Sequence, residues 1–448
     1  MRYLSNMFTK LVERYLPDSF IILFGLTIIV FILGLFHGSS IQEVMDLWGK
    51  GLFDILAFTM QATLMLVTGF ALAKTPIVNR VLKVFARLPK TEVQVYIVTI
   101  LVQVVLSWIS WGFGIIAGAI VAREMGIIHR GKVHYPLVIA AAFSGMIVWH
   151  AGYGGTIPQL IATPGHFLEQ QMGIIPVSET IFAPFNLILL IAVVISVLIT
   201  IVLMRPKNEN ERISLPASAE EEVSAASAER DVRGDSINFG SPVTPAERLE
   251  ESRLITFILG LFCFMYIVIF FLNGGAMNIN IVIVSFLAAG LLFTSNSKEY
   301  LGSIMGGSSA SFGIILQFPF YGGLMSIVAG TGIATTLANG LLNFATAETL
   351  PLWAFLSAGI INVLVPSGGG QWAVQGPIII EAANQLGADI PKVAMAVAWG
   401  DTWTNLIQPF WTLALLAITG LGIRYIMGYS AVVMIVTGVV LGAGLLFI

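Results

Sequence analysis

Asp401 is the acid that lies deepest within an apolar stretch of this sequence. It sits in Gly400-Asp-Thr-Trp-Thr-Asn405, which Gln408-Pro409 follows. On insertion scales an acid at the centre of a lipid-spanning helix costs about 2.5–3.5 kcal/mol. No Lys or Arg lies within one helical turn of Asp401 along the chain. Its charge must therefore be met by a proton, by a bound cation or by a side chain from elsewhere, which makes it the leading candidate for ion coupling. Thr402 and Asn405 stand beside it. A second interrupted stretch, Trp149-His-Ala-Gly-Tyr-Gly-Gly-Thr156, supplies His150 and Thr156. His150 reads either as a proton relay or as a packed neutral histidine. Unwound backbone in both stretches frees carbonyls for a cation.

Two further stretches suit an anion. Ser107-Trp-Ile-Ser-Trp-Gly-Phe-Gly114 and Val365-Pro-Ser-Gly-Gly-Gly-Gln-Trp372 each lie in the middle of a long uncharged run. A helix starting at such a place exposes unpaired N–H groups and a partial positive charge. It can hold an anion without a basic side chain, and glycine lets the ligand approach the backbone. Gly112 and Gly114 in the first stretch and Gly368, Gly369 and Gly370 in the second are the candidate anion contacts. Ser107, Ser110, Asn362, Ser367 and Gln371 add polar contacts. Trp108, Trp111 and Trp372 are placed to hold a short alkyl group. Gln61, Gln317 and Gln375 read as bonds between helices.

Other chemistries find no support. There is no G-x-x-x-x-G-K-[ST] loop for ATP, no nucleophile elbow at Gly307-Ser-Ser-Ala-Ser311, and no paired-histidine metal spacing. The expectation is a protein that is not an enzyme and carries no cofactor beyond a co-transported proton or sodium ion. The single cysteine, Cys263, rules out an internal disulfide, and a net charge of −3 gives no reason to expect a nucleic-acid partner.

The elements that must position these residues are spanning helices. Of 448 residues 57% are hydrophobic and 10% charged, against about 25% charged in soluble domains. The lipid bilayer is therefore the first partner. Spans are expected at Phe20–Phe36, Leu52–Ala73, Tyr135–Ile157, Ile181–Leu203, Ile255–Leu272, Ile279–Phe293, Ala310–Ala329, Val393–Leu416 and Ala431–Ile448. The uncharged runs Val93–Ala122 and Thr349–Ile380 are long for one crossing and short for two plus a turn. With turn formers in their middles they read as re-entrant hairpins. The expected fold is an all-α polytopic membrane protein with about nine spanning helices plus two hairpins. Residues 1–17 form an interfacial amphipathic helix rather than a cleavable signal. Residues 18–204 form a first repeat with hairpin 93–122, and 205–252 a disordered cytoplasmic linker. Residues 253–273 form a linking transmembrane helix, and 274–448 a second repeat with hairpin 349–380.

With the N-terminus in the cytoplasm, 20 of the 22 Lys and Arg residues fall inside, and only Lys50 and Lys392 fall outside. That skew is the positive-inside pattern of a multi-pass bacterial inner-membrane protein. Basic clusters flank the first hairpin on both sides, so it opens to the cytoplasm. The linker ends in Thr244-Pro-Ala-Glu247, a capping box with proline at the first helical position.

An offset of 256 residues superposes the two halves. Gln61 falls on Gln317, Ala73 on Ala329, Thr75 on Thr331, Gly112 on Gly368 and Thr156 on Thr412. An odd number of crossings separates the repeats, so the second is expected to be inverted, an arrangement used by transporters.

Several motifs bring a family into view. Trp111-Gly-Phe-Gly114, Glu247-Arg-Leu-Glu-Glu-Ser-Arg253 and Gln317-Phe-Pro-Phe-Tyr-Gly-Gly323 are three. Val365-Pro-Ser-Gly-Gly-Gly-Gln-Trp372, Gln375-Gly-Pro377, Gln408-Pro-Phe-Trp411 and Gly420-Leu-Gly-Ile-Arg424 complete the set. Over essentially the whole chain the sequence resembles the bacterial short-chain fatty acid transporter family of the ion transporter superfamily. The resemblance implies uptake of small monocarboxylates such as acetoacetate or butyrate, coupled to an ion gradient, on an elevator-like scaffold. It assigns no residues. Another carboxylate, or ion antiport on the same scaffold, stays open, as do the coupling ion and the oligomeric state, a homodimer included.

Overall fold

Hydrophobic runs closed by serine, threonine, asparagine and proline caps set the helix boundaries. The computed structural model describes residues 19–206, 208–215, 244–365 and 367–448, and secondary structure among them is helical without strands. The expected interfacial helix of residues 1–17 and linker residues 216–243 lie outside the described residues, as does Pro366.

In chain order the first half contains α1 (Ser19–Phe36), α2 (Ile41–Asp54), α3 (Leu56–Lys74), α4 (Pro76–Arg87), α5 (Glu92–Ile109), α6 (Trp111–Ile128), α7 (Tyr135–Gly145), a 3₁₀ turn over Met146–Ala151, α8 (Thr156–Ile161) and α9 (Pro184–Leu203). After the linker, α10 (Arg253–Leu272) leads into α11 (Ile279–Phe293), α12 (Ser297–Gly330), α13 (Ile333–Leu342), α14 (Leu350–Leu364), α15 (Gly368–Leu386), α16 (Ile390–Asn405), α17 (Pro409–Thr419) and α18 (Met427–Phe447). The capping box at Thr244 and Glu247 forms as the sequence indicates, opening a short helix at Pro245.

Eight helical segments among the described residues are long and apolar enough to cross a bilayer, and three apolar helices are shorter. The division differs from the sequence reading in identifiable places. The run Val393–Leu416 splits before Pro409, leaving α16 and α17 at 16 and 11 residues, each below the roughly 20 residues a span needs. The run Val93–Ala122 becomes two 18-residue arms, α5 and α6, meeting at Ser110. The second arm continues through Arg123 and Glu124 to Ile128, where Glu124 pairs with Lys83 of α4 at 3.5 Å. At 1.5 Å per residue each arm is about 27 Å long, near the thickness of the hydrocarbon layer. The second hairpin has arms of 15 and 19 residues.

Glutamines stitch both hairpins. Gln103 of α5 donates to the Gly114 carbonyl across the first, at 3.1 Å. Gln371 of α15 donates to Ala358 O, and Gln375 to Ser357 Oγ, across the second, both at 3.0 Å. Gln61 ties α3 to Asn280 of α11 at 2.8 Å.

Helix boundaries repeat at the offset found in the sequence. Ser40 and Glu43 form a capping box before α2, and Asn296 caps α12 through the Glu299 N–H, 256 residues on. The segment Ile41–Lys74 and helix α12 both have 34 residues. The first is interrupted at Ile55, while the second runs unbroken through Pro319. At the hairpins the serine caps Ser110 and Ser367 open α6 and α15, so the register there moves by one residue.

Packing separates two groups of helices. In one, α3 lies along α12, α2 packs on α12, and α10 and α3 flank α11. In the other, α5 packs on α6 and α7, α14 on α16, and α9 on α18. The groups meet chiefly through the second arms of the hairpins: α6 against α3 and α4, α15 against α12 and α13.

The start of the expected linker is docked rather than free. Arg212 pairs with Glu92 at 2.8 Å, the Ile213 N–H donates to His134 Nδ1, and the Ile213 carbonyl accepts from the Tyr135 N–H. These bonds, with Leu215 buried, hold residues 212–215 against the entrances to α5 and α7.

Candidate functional site

The break after α7 has a local cause. Glycines at 145, 152, 154 and 155 cluster there, and helix propensity is lowest for glycine after proline. The chain tightens into the 3₁₀ turn Met146–Ala151 and restarts at Thr156. The break after α16 ends at Pro409, which opens α17. His150 from the first break and Asp401, one turn before the second, meet at 3.0 Å between Nδ1 and Oδ2. Both side chains are 0% exposed.

The geometry fixes the imidazole tautomer. Nε2 accepts the backbone N–H of Ile157 at 3.2 Å and lies 3.2 Å from Thr156 Oγ1. It therefore carries no proton, and in the neutral ring Nδ1–H donates to the Asp401 carboxylate. Trp149 stacks on the ring with centroids 3.9 Å apart. Thr402 Oγ1 donates to the Ile147 carbonyl at 2.9 Å, a second bond between the two breaks.

Asn362, in the first arm of the second hairpin, holds the end of α16. The two hydrogens on its Nδ2 are shared among three acceptors, Asp401 O at 2.7 Å, Thr404 Oγ1 at 2.9 Å and Asn405 Oδ1 at 2.7 Å. Gln408 Nε2 donates to the Asn362 carbonyl. Gln408 and Thr404 were not singled out as site residues from sequence. The signal was in view, because Gln408 stands in the break itself.

The second hairpin tip joins this cluster. A Cβ at Gly368 would lie 2.4 Å from His150 Cε1 and 2.8 Å from Thr156 Oγ1, so only glycine fits there. Gly369 faces Phe58 and Phe318, Gly370 faces Tyr321, and Ser367 caps the helix by accepting from the Gly370 N–H at 3.3 Å. Gln371 and Trp372 are buried behind the tip. The first tip packs elsewhere. Ser110 caps α6 through the Phe113 N–H, Gly112 lies on Leu66 of α3, and Gly114 on Ser107, which itself accepts from Gln103 at 2.7 Å. The Gly154 N–H donates to the Trp108 carbonyl at 2.8 Å, joining this tip to the first break. Trp108 packs edge-on to Tyr153 and Phe182, whereas Trp111 forms a triad with Trp149 and Trp411, centroids 5.4–6.3 Å apart.

Thus His150, Thr156, Asp401, Thr402, Asn405, Asn362 and Gly368 converge. Ser107, Trp108 and Trp111 reach the first break, at Gly154, at Gly152 and Tyr153, and at Trp149, whereas Ser110 and Gly112 lie on α3, Gly114 lies on Ser107 of α5, and Trp372 is buried behind the second tip. Among the described residues the first tip packs on Leu66 of α3 and on Ser107 of α5, and the second on His150, Thr156, Phe58, Phe318 and Tyr321. Between the breaks, Phe143, Trp149, Thr402, Asn405 and Trp411 help to line a cavity of about 10 Å³, room for about one water molecule.

The sequence pattern of the family described as short chain fatty acid transporter matches residues 1–448. The chain belongs to that family. A relative from Escherichia coli K12 is 37% identical over 99% of this chain and 98% of its own length. One from Haemophilus influenzae is 34% identical over 99% of each. Both names assign short-chain fatty acid transport provisionally. In structure the transporter is similar to the Alcanivorax borkumensis YdaH transporter, described as having an unusual topology. The TM-score is 0.58 at 13% identity, over 95% of this chain and 98% of that one, a likeness of fold. This family member is therefore a multi-pass bacterial membrane transporter.

Proposed function

We propose that the protein takes up short-chain monocarboxylates, of the acetoacetate or butyrate kind, by cation symport across the bacterial cytoplasmic membrane. The names of its relatives point to that substrate class. The observation that carries the coupling is the fully buried His150–Asp401 contact, which ties the two broken helices together beside the second hairpin tip. An anion and an ionised Asp401 would repel each other. A cation on Asp401 removes that repulsion, so ion and substrate favour each other's binding, and linkage makes the effect reciprocal.

The movement is elevator-like. The group containing both hairpins and both breaks slides along α3, α4, α12 and α13, and the repeats are inverted about an axis in the membrane plane. The separation of the packing into two groups, meeting along the second hairpin arms, supports this reading. The basic flanks of the first hairpin support a cytoplasmic N-terminus.

Purified protein in proteoliposomes, offered a panel of labelled carboxylates under imposed proton or sodium gradients, tests the proposal. Saturable, gradient-driven uptake of two- to four-carbon monocarboxylates is the expected result. Uptake confined to dicarboxylates, or cation exchange without any carboxylate, would replace it.

A further inference from the structure

Helix α4 has three faces. Residues three and four apart stack on one side of a helix. Val78, Leu82 and Ala86 form the first face, which is packed into the core, with α6 the main neighbour. Ile77, Val81, Val84, Phe85 and, just past the end, Leu88 form the second, and all five are exposed. Arg80, Lys83, Arg87 and, beyond the helix, Lys90 form the third, and they are exposed too. The apolar and basic faces adjoin on the outside of the molecule.

This pattern excludes two surroundings. In water the second face would leave five large apolar side chains wet in one stripe. As a crossing α4 is too short, because its 12 residues rise about 18 Å against a hydrocarbon layer of about 30 Å. A helix with one apolar and one cationic face lies in the membrane surface. Of the cations only Lys83 is engaged, with Glu124 of α6 at 3.5 Å. Arg80, Arg87 and Lys90 form no ion pair among the described residues.

The second half supplies an internal comparison. At the 256-residue offset Val81 and Phe85 correspond to Leu337 and Leu341 of α13, so apolar positions recur. Arg80, Lys83, Arg87 and Lys90 correspond to Thr336, Asn339, Asn343 and Thr346. The repeated element is therefore built with neutral polar residues where α4 has cations. A charge bias between the two sides of the membrane accounts for basic residues near α4. It does not account for their alignment on the face beside the apolar stripe. That alignment sets guanidinium and ammonium groups at the depth of lipid headgroups, where phosphates carry the opposite charge. A soluble acidic partner would match the cations and leave the apolar stripe wet.

We infer that α4 is a binding site for anionic phospholipid. Ile77, Val81, Val84 and Phe85 enter the acyl layer, and Arg80, Arg87 and Lys90 hold the phosphates. Binding needs no transport, so the site does not depend on the symport reading.

Purified protein is melted in neutral detergent with added phosphatidylglycerol or phosphatidylcholine. A saturable rise in Tm with phosphatidylglycerol is expected, weakened by salt and much smaller with phosphatidylcholine. Arg80→Gln/Arg87→Gln/Lys90→Gln changes exposed side chains and should need at least about tenfold more phosphatidylglycerol for the same rise. Arg80→Lys/Arg87→Lys keeps the charges and should keep the response, which separates charge from packing if the triple variant does not fold. Equal responses to the two lipids in the wild type, or an unchanged response in the triple variant, overturn the site. The occupant is tested with a fluorophore on Val84→Cys in a Cys263→Ala background, in phosphatidylglycerol vesicles. Quenching by spin-labelled acyl chains is expected. A label open to aqueous iodide instead overturns the proposal. So does one shielded from both quenchers that opens to iodide when Glu220, Glu221 and Glu222 are changed to Gln, a result that would give the face to the acidic linker.

Discussion

At the residue scale the central contact is the hydrogen bond between His150 and Asp401, both out of water. Removing one partner leaves the other's polar atom buried without its bond, which typically costs about 1–3 kcal/mol. His150→Leu should therefore destabilise the protein clearly in detergent melts, and His150→Leu/Asp401→Asn should recover part of the loss. Equal destabilisation by the single and the double change would mean that the two side chains are not coupled. The tip makes a sharper demand. Gly368→Ala places a methyl group within 2.4 Å of His150 Cε1, so transport should fall at least tenfold in vesicles while membrane insertion stays normal. Normal uptake would place the substrate path away from this contact. Asp401 was legible in the sequence because an acid in an apolar run demands a partner. His150 as that partner was not, since 251 residues separate the two and no local pattern couples them. Gln408 was passed over because an amide beside a proline reads as an ordinary helix start.

At the element scale the sequence carries the hairpin tips well and the arm lengths poorly. A serine cap with a glycine within two residues marks the start of α6 and of α15. The far end of α6 is set by a tertiary contact, Glu124 with Lys83, which charge counting along one strand of sequence takes as the end of the membrane run. Cysteines placed at Thr91 and at Lys132 should both react with an impermeant thiol reagent from the cytoplasmic side. Reaction from opposite sides would dismantle the hairpin. The loop between α8 and α9 offers a pH test away from the membrane. Burial pushes the His166 imidazole below its ordinary range, although the Gly173 carbonyl pulls the other way. A histidine kept neutral in the fold stabilises it above the unfolded value, about 6.5. That stability is lost as pH falls through this value toward the lowered one. Hydrogen-exchange protection of residues 162–183, corrected for intrinsic rates, should drop below about pH 6.5 and lose this dependence in His166→Gln. A flat profile in the wild type would show that the histidine does not hold the loop.

At the scale of the whole molecule, one offset aligns spans, tips and breaks in the sequence, and helix caps fall on the same offset. Ser40 with Glu43 and Asn296 with Glu299 are the plainest instance. The grouping of helices could not be read, because apolar faces turned to lipid and apolar faces turned to protein have the same composition. Docking of residues 212–215 escaped for a related reason. A polar stretch looks unstructured until a distant Glu92 and His134 receive it. The account as a whole requires that Asp401 couple substrate to ion without being needed to bind the substrate. Asp401→Asn, reconstituted and compared with wild type, tests this most directly. The variant should exchange labelled butyrate for unlabelled butyrate across the vesicle membrane but fail to accumulate it under a sodium or proton gradient. Full concentrative uptake by the variant, with unchanged sodium and pH dependence, would contradict the account.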